Sequence, residues 1–225
     1  AQDPFQVGNT TLRATNVASG IQIPWEILWG PDDFLWVTSR PGTVYRITPE
    51  TGANTTVLTK SVTNNGSGEP GMLGMAMHPE WESTPKVFIV YTTGSTWNGK
   101  ERLSVFDWNG SSLVNEEVLL SLPAAGIHNG SRLLVLPDIT LLMTTGDVGD
   151  GGASSQNLSS LNGKVLRLNL DGSIPSDNPT PGSYVYSHGH RNPQGLAMGP
   201  GGIIYSSEHG QSNNDEVNII EPGRN

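Results

Sequence analysis

Leu133-Leu134-Val135-Leu136-Pro137-Asp138-Ile139-Thr140-Leu141-Leu142-Met143-Thr144 reads as two short apolar strands around a proline turn, the second ending in small polar residues. The pattern recurs at 27–38, at 74–79 with 86–92, and at 195–206. The turn prolines, Pro31, Pro79, Pro137 and Pro200, are 48, 58 and 63 residues apart, which is the spacing of propeller blades. Thr43-Val44-Tyr45-Arg46-Ile47, Leu103-Ser104-Val105-Phe106-Asp107 and Lys164-Val165-Leu166-Arg167-Leu168-Asn169 supply third strands. Thr55-Thr56-Val57-Leu58 and Val118-Leu119-Leu120 supply fourth ones. The expectation is an all-β fold of four-stranded antiparallel blades, with residues 1–225 as a single β-propeller domain. The 28 Gly, 16 Pro and 15% charged residues agree with many turns and few long helices.

The repeat also sorts the polar residues. Glu69, His128, Arg191 and Asn192 fall just before a first strand, and Arg40, Asp147, Glu208 and His209 just after a second one. In an up-and-down blade those two connections lie at one end, so the residues converge on one mouth. Two loops stand out: Gly126-Ile127-His128-Asn129-Gly130-Ser131-Arg132-Leu133, and Tyr186-Ser187-His188-Gly189-His190-Arg191-Asn192-Pro193-Gln194-Gly195-Leu196. Each sets a titratable or cationic side chain among glycine and asparagine ahead of an apolar run. From the residues alone His128 is either a ring that pins its loop or a general base. Arg191 is either a tie between blades or a planar cationic fork for an anion. The run Gly146-Asp147-Val148-Gly149-Asp150-Gly151-Gly152 is an ordinary turn or an oxygen-rich wall. Lys164 and His78 read as structural, and the spacing of His188, His190 and His209 fits no zinc pattern.

Several classes of function lose their support. A net charge of −9 repels a phosphate backbone, so nucleic acid is not an expected partner. No apolar run is long enough to span a bilayer, and with no Cys there is neither a disulfide nor a thiolate nucleophile. G-x-S-x-G, H-E-x-x-H, P-loop and dinucleotide-binding patterns are absent. The start at Ala1-Gln2-Asp3, without methionine, is that of a chain cut from a signal peptide, so a secreted or periplasmic protein is expected. Asn-x-Ser/Thr triplets at Asn9, Asn54, Asn65, Asn109, Asn129 and Asn157 are ascribed to composition.

The two loops, taken with Gly71-Met72-Leu73-Gly74-Met75-Ala76-Met77-His78-Pro79, Leu161-Asn162-Gly163-Lys164-Val165-Leu166-Arg167, Ser206-Ser207-Glu208-His209-Gly210 and Asp215-Glu216-Val217-Asn218, carry a resemblance from about Trp25 to Asn225. The chain resembles the soluble quinoprotein aldose (glucose) dehydrogenases, six-bladed β-propellers that bind pyrroloquinoline quinone (PQQ) and calcium. The resemblance implies that this chain covers about four of six blades and that further blades lie outside it. It also implies oxidation of an aldose at C1 to the lactone, with hydride transfer to the quinone and electrons passed to an external acceptor. His128 would take the proton from the C1 hydroxyl, with Asp147 orienting it. Arg191 and Asn192 would face the reactive carbonyl of the cofactor, and Glu69 and His209 would lie against cofactor or sugar. The backbone carbonyls of Gly210 and Gln211 would bind the calcium, and a homodimer is a further implication. The chain departs from the family at Ser131 and Gln211, where glycine and proline are usual, and at Asp138-Ile139-Thr140, which lacks the usual Asp-Gly. Two rivals remain: a non-catalytic propeller like the Hedgehog-interacting relatives, and a calcium-dependent lactonase, which needs carboxylate and Asn ligands on the channel axis.

Overall fold

The structure, a computed structural model, describes residues 3–64, 66 and 68–225. A hairpin of β1 (Phe5–Val7) and β2 (Thr10–Leu12) precedes four antiparallel sheets. The first is β3 (Pro24–Trp29), β4 (Leu35–Ser39), β5 (Thr43–Ile47) and β6 (Asn54–Thr59), paired in that order. The second is β7 (Met72–Met77), β8 (Lys86–Ser95), β9 (Asn98–Trp108) and β10 (Leu113–Ala124). In the third, β11 (Leu133–Val135) and β12 (Thr140–Thr145) are followed, after a one-turn helix α1 (Ala153–Gln156), by β13 (Lys164–Asn169) and β14 (Val185–His188). Among the described residues the fourth sheet has three strands, β15 (Pro193–Met198), β16 (Ile204–Glu208) and β17 (Glu216–Ile220). The all-β blade pattern is therefore present, and β5 and β13 fall where the sequence puts them. Three details differ. Strands β8 and β9 run on into a long hairpin, β14 occupies residues expected to be loop, and the fourth sheet lacks a fourth strand among the described residues.

Side-chain alternation explains why the inner strands read as unbroken apolar runs. Along β8, Val87, Ile89 and Tyr91 enter a cluster with Trp36, Val44 and Met72 of the first two sheets, while Phe88 and Val90 enter another with Leu133, Leu141 and Leu166 of the third. Strand β12 does the same, sending Leu141 and Met143 one way and Leu142 toward Ile204 and Ile220 of the fourth sheet. A strand covered on both faces needs apolar residues at both phases, unlike one with a wet side. Three cores thus fill the three gaps between four blades. In the first gap the Trp36 ring meets Trp81 and Trp108 edge to face, at centroid distances of 6.0 and 4.9 Å.

The blade turns carry one strained position. Ile139 sits at φ 64, where the usual sequence has glycine and where the first blade places Asp33 at φ 61. A β-branched residue pays for left-handed backbone, of order 1–2 kcal/mol. Ile139→Gly is therefore expected to raise stability by about 1 kcal/mol, part of the relief being offset by glycine's larger unfolded-state entropy. A denaturant midpoint unchanged or lowered in that variant would contradict the strain.

Of the sequons, Asn129 is 1% exposed and its amide bonds the Ala125 backbone N–H and carbonyl, which leaves no room for a glycan. Asn9, Asn54, Asn109 and Asn157 are exposed, and Asn65 lies outside the described residues.

Candidate active site

Four connections meet at one end of the blades: residues 125–132, 146–163, 189–192 and 209–215. They are joined by backbone bonds across blades. The Asp147 N–H donates to the Arg191 carbonyl at 2.8 Å, and the Val148 N–H to the His128 carbonyl at 3.2 Å. A cavity of about 630 Å³ opens there, lined among others by Ile127, His128, Asp147, Ser155, Arg191 and Gln211. His128 and Arg191, 63 residues apart, thus face one space, as the repeat phase predicts.

His128 is held on every side but one. Its Nδ1 lies 2.6 Å from Asp147 Oδ1, and the two residues are 9% and 4% exposed. The same carboxylate oxygen accepts the Gly149 N–H at 2.9 Å. With Nδ1 against a carboxylate the ring carries its proton there, leaving the Nε2 lone pair for the cavity. Local backbone geometry accounts for the placement. His128, Gly130 and Ser131 all adopt positive φ, and Gly146 passes so close that a Cβ there would lie 2.0 Å from the His128 carbonyl oxygen. Gly146 is therefore the residue that lets the Asp147 loop reach the His128 loop.

Arg191 and Asn192 rest on Glu208. One carboxylate oxygen accepts both of their backbone N–H groups, at 3.1 Å for Asn192, and the other meets His190 Nδ1 at 3.1 Å. Burial pushes the Glu208 carboxyl up, but the His190 ring and the two N–H donors outweigh it and hold the group below its ordinary value. The far side of the His190 ring meets Ser187 Oγ at 2.8 Å, so His190 braces this loop. The Arg191 guanidinium has no carboxylate partner among the described residues, and its Nη1 donates only to the His209 carbonyl at 3.1 Å. The Asn192 amide joins loops instead, accepting from the Gly130 N–H at 3.0 Å and donating to Glu69 at 3.1 Å.

Glu69 is also a fastener. Its Oε2 accepts from the His128 N–H at 2.7 Å as well as from Asn192, so the carboxylate welds three loops and is not among the cavity's lining residues. His209 is exposed and pairs with Gln194 Oε1 at 3.1 Å, outside the main cavity. Gly210 and Gln211 form a tight turn: the Gly210 N–H bonds Asp215 Oδ1 at 3.0 Å, and a Cβ on Gly210 would lie 2.1 Å from the Asn213 carbonyl oxygen. Lys164 is fully buried, its ammonium donating to the carbonyls of Ser154, Ser155 and Asn162 at 2.7, 3.0 and 2.9 Å. It anchors α1, whose Ser155 and Gln156 line the cavity, and burial lowers its pKa to about 8.

Glu101 was not among the candidates. It is fully buried on β9, receives the Ser131 hydroxyl at 2.7 Å, and its other oxygen has no partner among the described residues. Its signal was present in the sequence, because Glu101, Leu103 and Val105 share one face of a strand whose last two members are core. Burial raises its pKa from 4.5 to about 8, against a smaller lowering by Ser131. The folded state then keeps a proton that the unfolded chain releases, so stability falls as pH rises from about 4.5 to about 8. Glu101→Gln, which retains the acceptor for Ser131, is expected to flatten that slope in denaturation midpoints between pH 5 and 8. An unchanged slope would refute the buried acid.

The chain matches known proteins over nearly its whole length. A family model, glucose/sorbosone dehydrogenase, matches residues 21–225. Quinoprotein glucose dehydrogenase B of Acinetobacter calcoaceticus is 35% identical over 241 residues, covering 93% of this chain and 50% of that protein. The PQQ-bound aldose sugar dehydrogenase of Streptomyces coelicolor superposes with a TM-score of 0.82 at 37% identity, covering 93% of this chain and 63% of that one. An oxidoreductase from Thermus thermophilus gives 0.85, also at 37% identity, with 94% and 65% covered. The chain spans about half to two thirds of the length of these relatives and makes about four blades of a larger propeller. On this match and on the fold it accompanies, the chain belongs to the glucose/sorbosone dehydrogenase family.

Proposed function

We propose that the protein oxidises an aldose at C1 to the lactone, using PQQ and calcium and passing electrons to an external acceptor. The observation that carries the reading is the pairing of a base with an uncompensated cation. His128 has its Nδ1 fixed by Asp147, and Arg191, without a carboxylate partner among the described residues, lines the same cavity. That residual positive charge fits an anionic, carboxylate-bearing cofactor. The Gly210-Gln211 turn offers carbonyl oxygens, the hard donors that calcium takes, and these two carbonyls would hold the ion.

The quinone, when bound, supplies the two-electron acceptor that oxidation of C1 requires. The chain's own part is positioning and proton transfer. His128 Nε2 accepts the proton of the C1 hydroxyl, and Asp147 stabilises the resulting imidazolium without taking the proton itself. Arg191 sets positive potential at the wall where negative charge accumulates, and Glu208 keeps it there. A secreted or periplasmic setting belongs to the same proposal and is checked by cell fractionation.

The test is reconstitution of the full-length protein with calcium and PQQ, following dye reduction over a panel of aldoses. Saturable reduction that needs both additions supports the reading. No reduction with any aldose, together with no cofactor absorbance retained after gel filtration, rejects it.

A further inference from the structure

Glu101 and Ser131 lie behind the His128 loop and are not among the residues lining the cavity. Ser131 closes the turn 128–131, in which His128, Gly130 and Ser131 have φ 56, 63 and 81. Its hydroxyl oxygen stands between two oxygens, 2.7 Å from Glu101 Oε1 and 3.1 Å from the carbonyl of Asn129, the residue after His128. A hydroxyl has one proton, so it bonds one of the two at a time. Which one depends on the charge of Glu101.

The Glu101 carboxyl is fully buried on β9, and its Oε2 has no partner among the described residues. A proton on Oε2 would find no acceptor, whereas a proton on Oε1 faces Ser131 Oγ. The neutral acid therefore donates to Ser131, whose own proton turns to the Asn129 carbonyl. An ionised Glu101 takes the Ser131 proton instead, and the Asn129 carbonyl loses that donor.

The surroundings favour the neutral form. Across the sheet Glu101 is flanked by Thr92 on β8 and Leu122 on β10, and on its own strand Lys100 and Arg102 occupy the opposite phase. The third sheet meets this gap with Leu133, Leu141 and Met143. Of the charged groups on the facing loop, His128 is paired with Asp147 and Arg132 with Glu26. Burial pushes the carboxyl up to about 8, and only the Ser131 hydroxyl opposes it.

Resting on the proposed role of His128 as base, we infer that Glu101 is a positioning residue for the reaction. Neutral, it holds the His128 turn through Ser131 and the Asn129 carbonyl; ionised, it releases that turn. Glycine, usual where Ser131 stands, cannot make the link.

The experiment follows single-turnover reduction of the bound cofactor by an aldose from pH 6.5 to 9, in the full-length wild type, Glu101→Gln and Ser131→Gly. Each rate is divided by the same protein's rate at pH 6.5. The amide of Glu101→Gln has a donor for Ser131 at every pH, and Ser131→Gly removes the hydroxyl at a φ that glycine adopts freely. By pH 9 the wild type is expected to fall about fivefold relative to both variants, the scale of one hydrogen bond lost. A profile that either variant shares with the wild type overturns the proposal. A second measurement needs no cofactor: the 13C shift of the Asn129 carbonyl over the same range. It is expected to titrate in the wild type with a midpoint of about 8 and to lose that titration in Glu101→Gln. If no aldose is oxidised at all, the dehydrogenase reading falls by itself, and this shift decides. A titration lost in Glu101→Gln sustains the link from Glu101 to the turn. No titration in the wild type, or the same one in Glu101→Gln, overturns it.

Discussion

His128→Ala is expected to lower turnover by about a hundredfold or more, the usual scale for loss of a general base. The variant removes an imidazole that lines the cavity, while Asp147 retains the Gly149 N–H as a partner. Arg191 and the Gly210-Gln211 turn proposed for calcium do not depend on the imidazole, so cofactor affinity is expected to stay within a few fold. Asp147→Asn makes a useful companion, since an amide at that position allows the wrong tautomer and is expected to lower kcat with the ring still in place. Single-turnover reduction of the bound cofactor by an aldose is the measurement, because it isolates the chemical step from re-oxidation by the acceptor. A near-normal rate in His128→Ala would remove the imidazole from the mechanism and leave the fold intact.

Glu208→Ala is expected to have the largest effect on stability among single changes near the site. The carboxylate is buried and accepts from two consecutive backbone N–H groups and from His190, so its loss strands three donors at once. Breaking a buried, charged network of this kind costs about 3–5 kcal/mol. Function should suffer as well, since Arg191 and Asn192 are aimed by those same bonds, and cofactor affinity is expected to drop at least tenfold. The sign with pH follows from the depressed Glu208 pKa. The stabilisation is present above the unfolded value near 4.5 and is lost as pH falls through the lower folded value. Denaturation midpoints from pH 3 to 7 should therefore slope more steeply in the wild type than in Glu208→Ala. Parallel slopes would show that the carboxylate is not the keystone of this loop.

The blade pattern was legible because burial on both faces leaves apolar runs that only turns interrupt, and because proline marks those turns at a regular spacing. The site's phase was legible for the same reason. A meander brings every second connection to one end, which is why His128, Asp147 and Arg191 were found from position in the repeat. What the sequence concealed were roles set by three-dimensional partners. Glu69 reads as a wall of the site but spends its carboxylate on the His128 and Asn192 donors. Val185–His188 reads as loop because its polar residues bond His190 and neighbouring strands instead of water. Ser131, in place of the usual glycine, keeps the left-handed backbone at φ 81 and uses its hydroxyl to bond Glu101, a coupling between blades that no local pattern predicts. Gln211, in place of the usual proline, lines the cavity.

The most direct test of the convergence of imidazole and guanidinium is a crystal structure of the full-length protein with calcium, reduced PQQ and an aldose, a combination in which the sugar cannot be oxidised. The C1 hydroxyl oxygen is expected within about 2.6–3.2 Å of His128 Nε2, with the Arg191 guanidinium bonded to the cofactor. A cofactor bound elsewhere, or a sugar whose C1 lies beyond hydrogen-bond reach of His128, would contradict it.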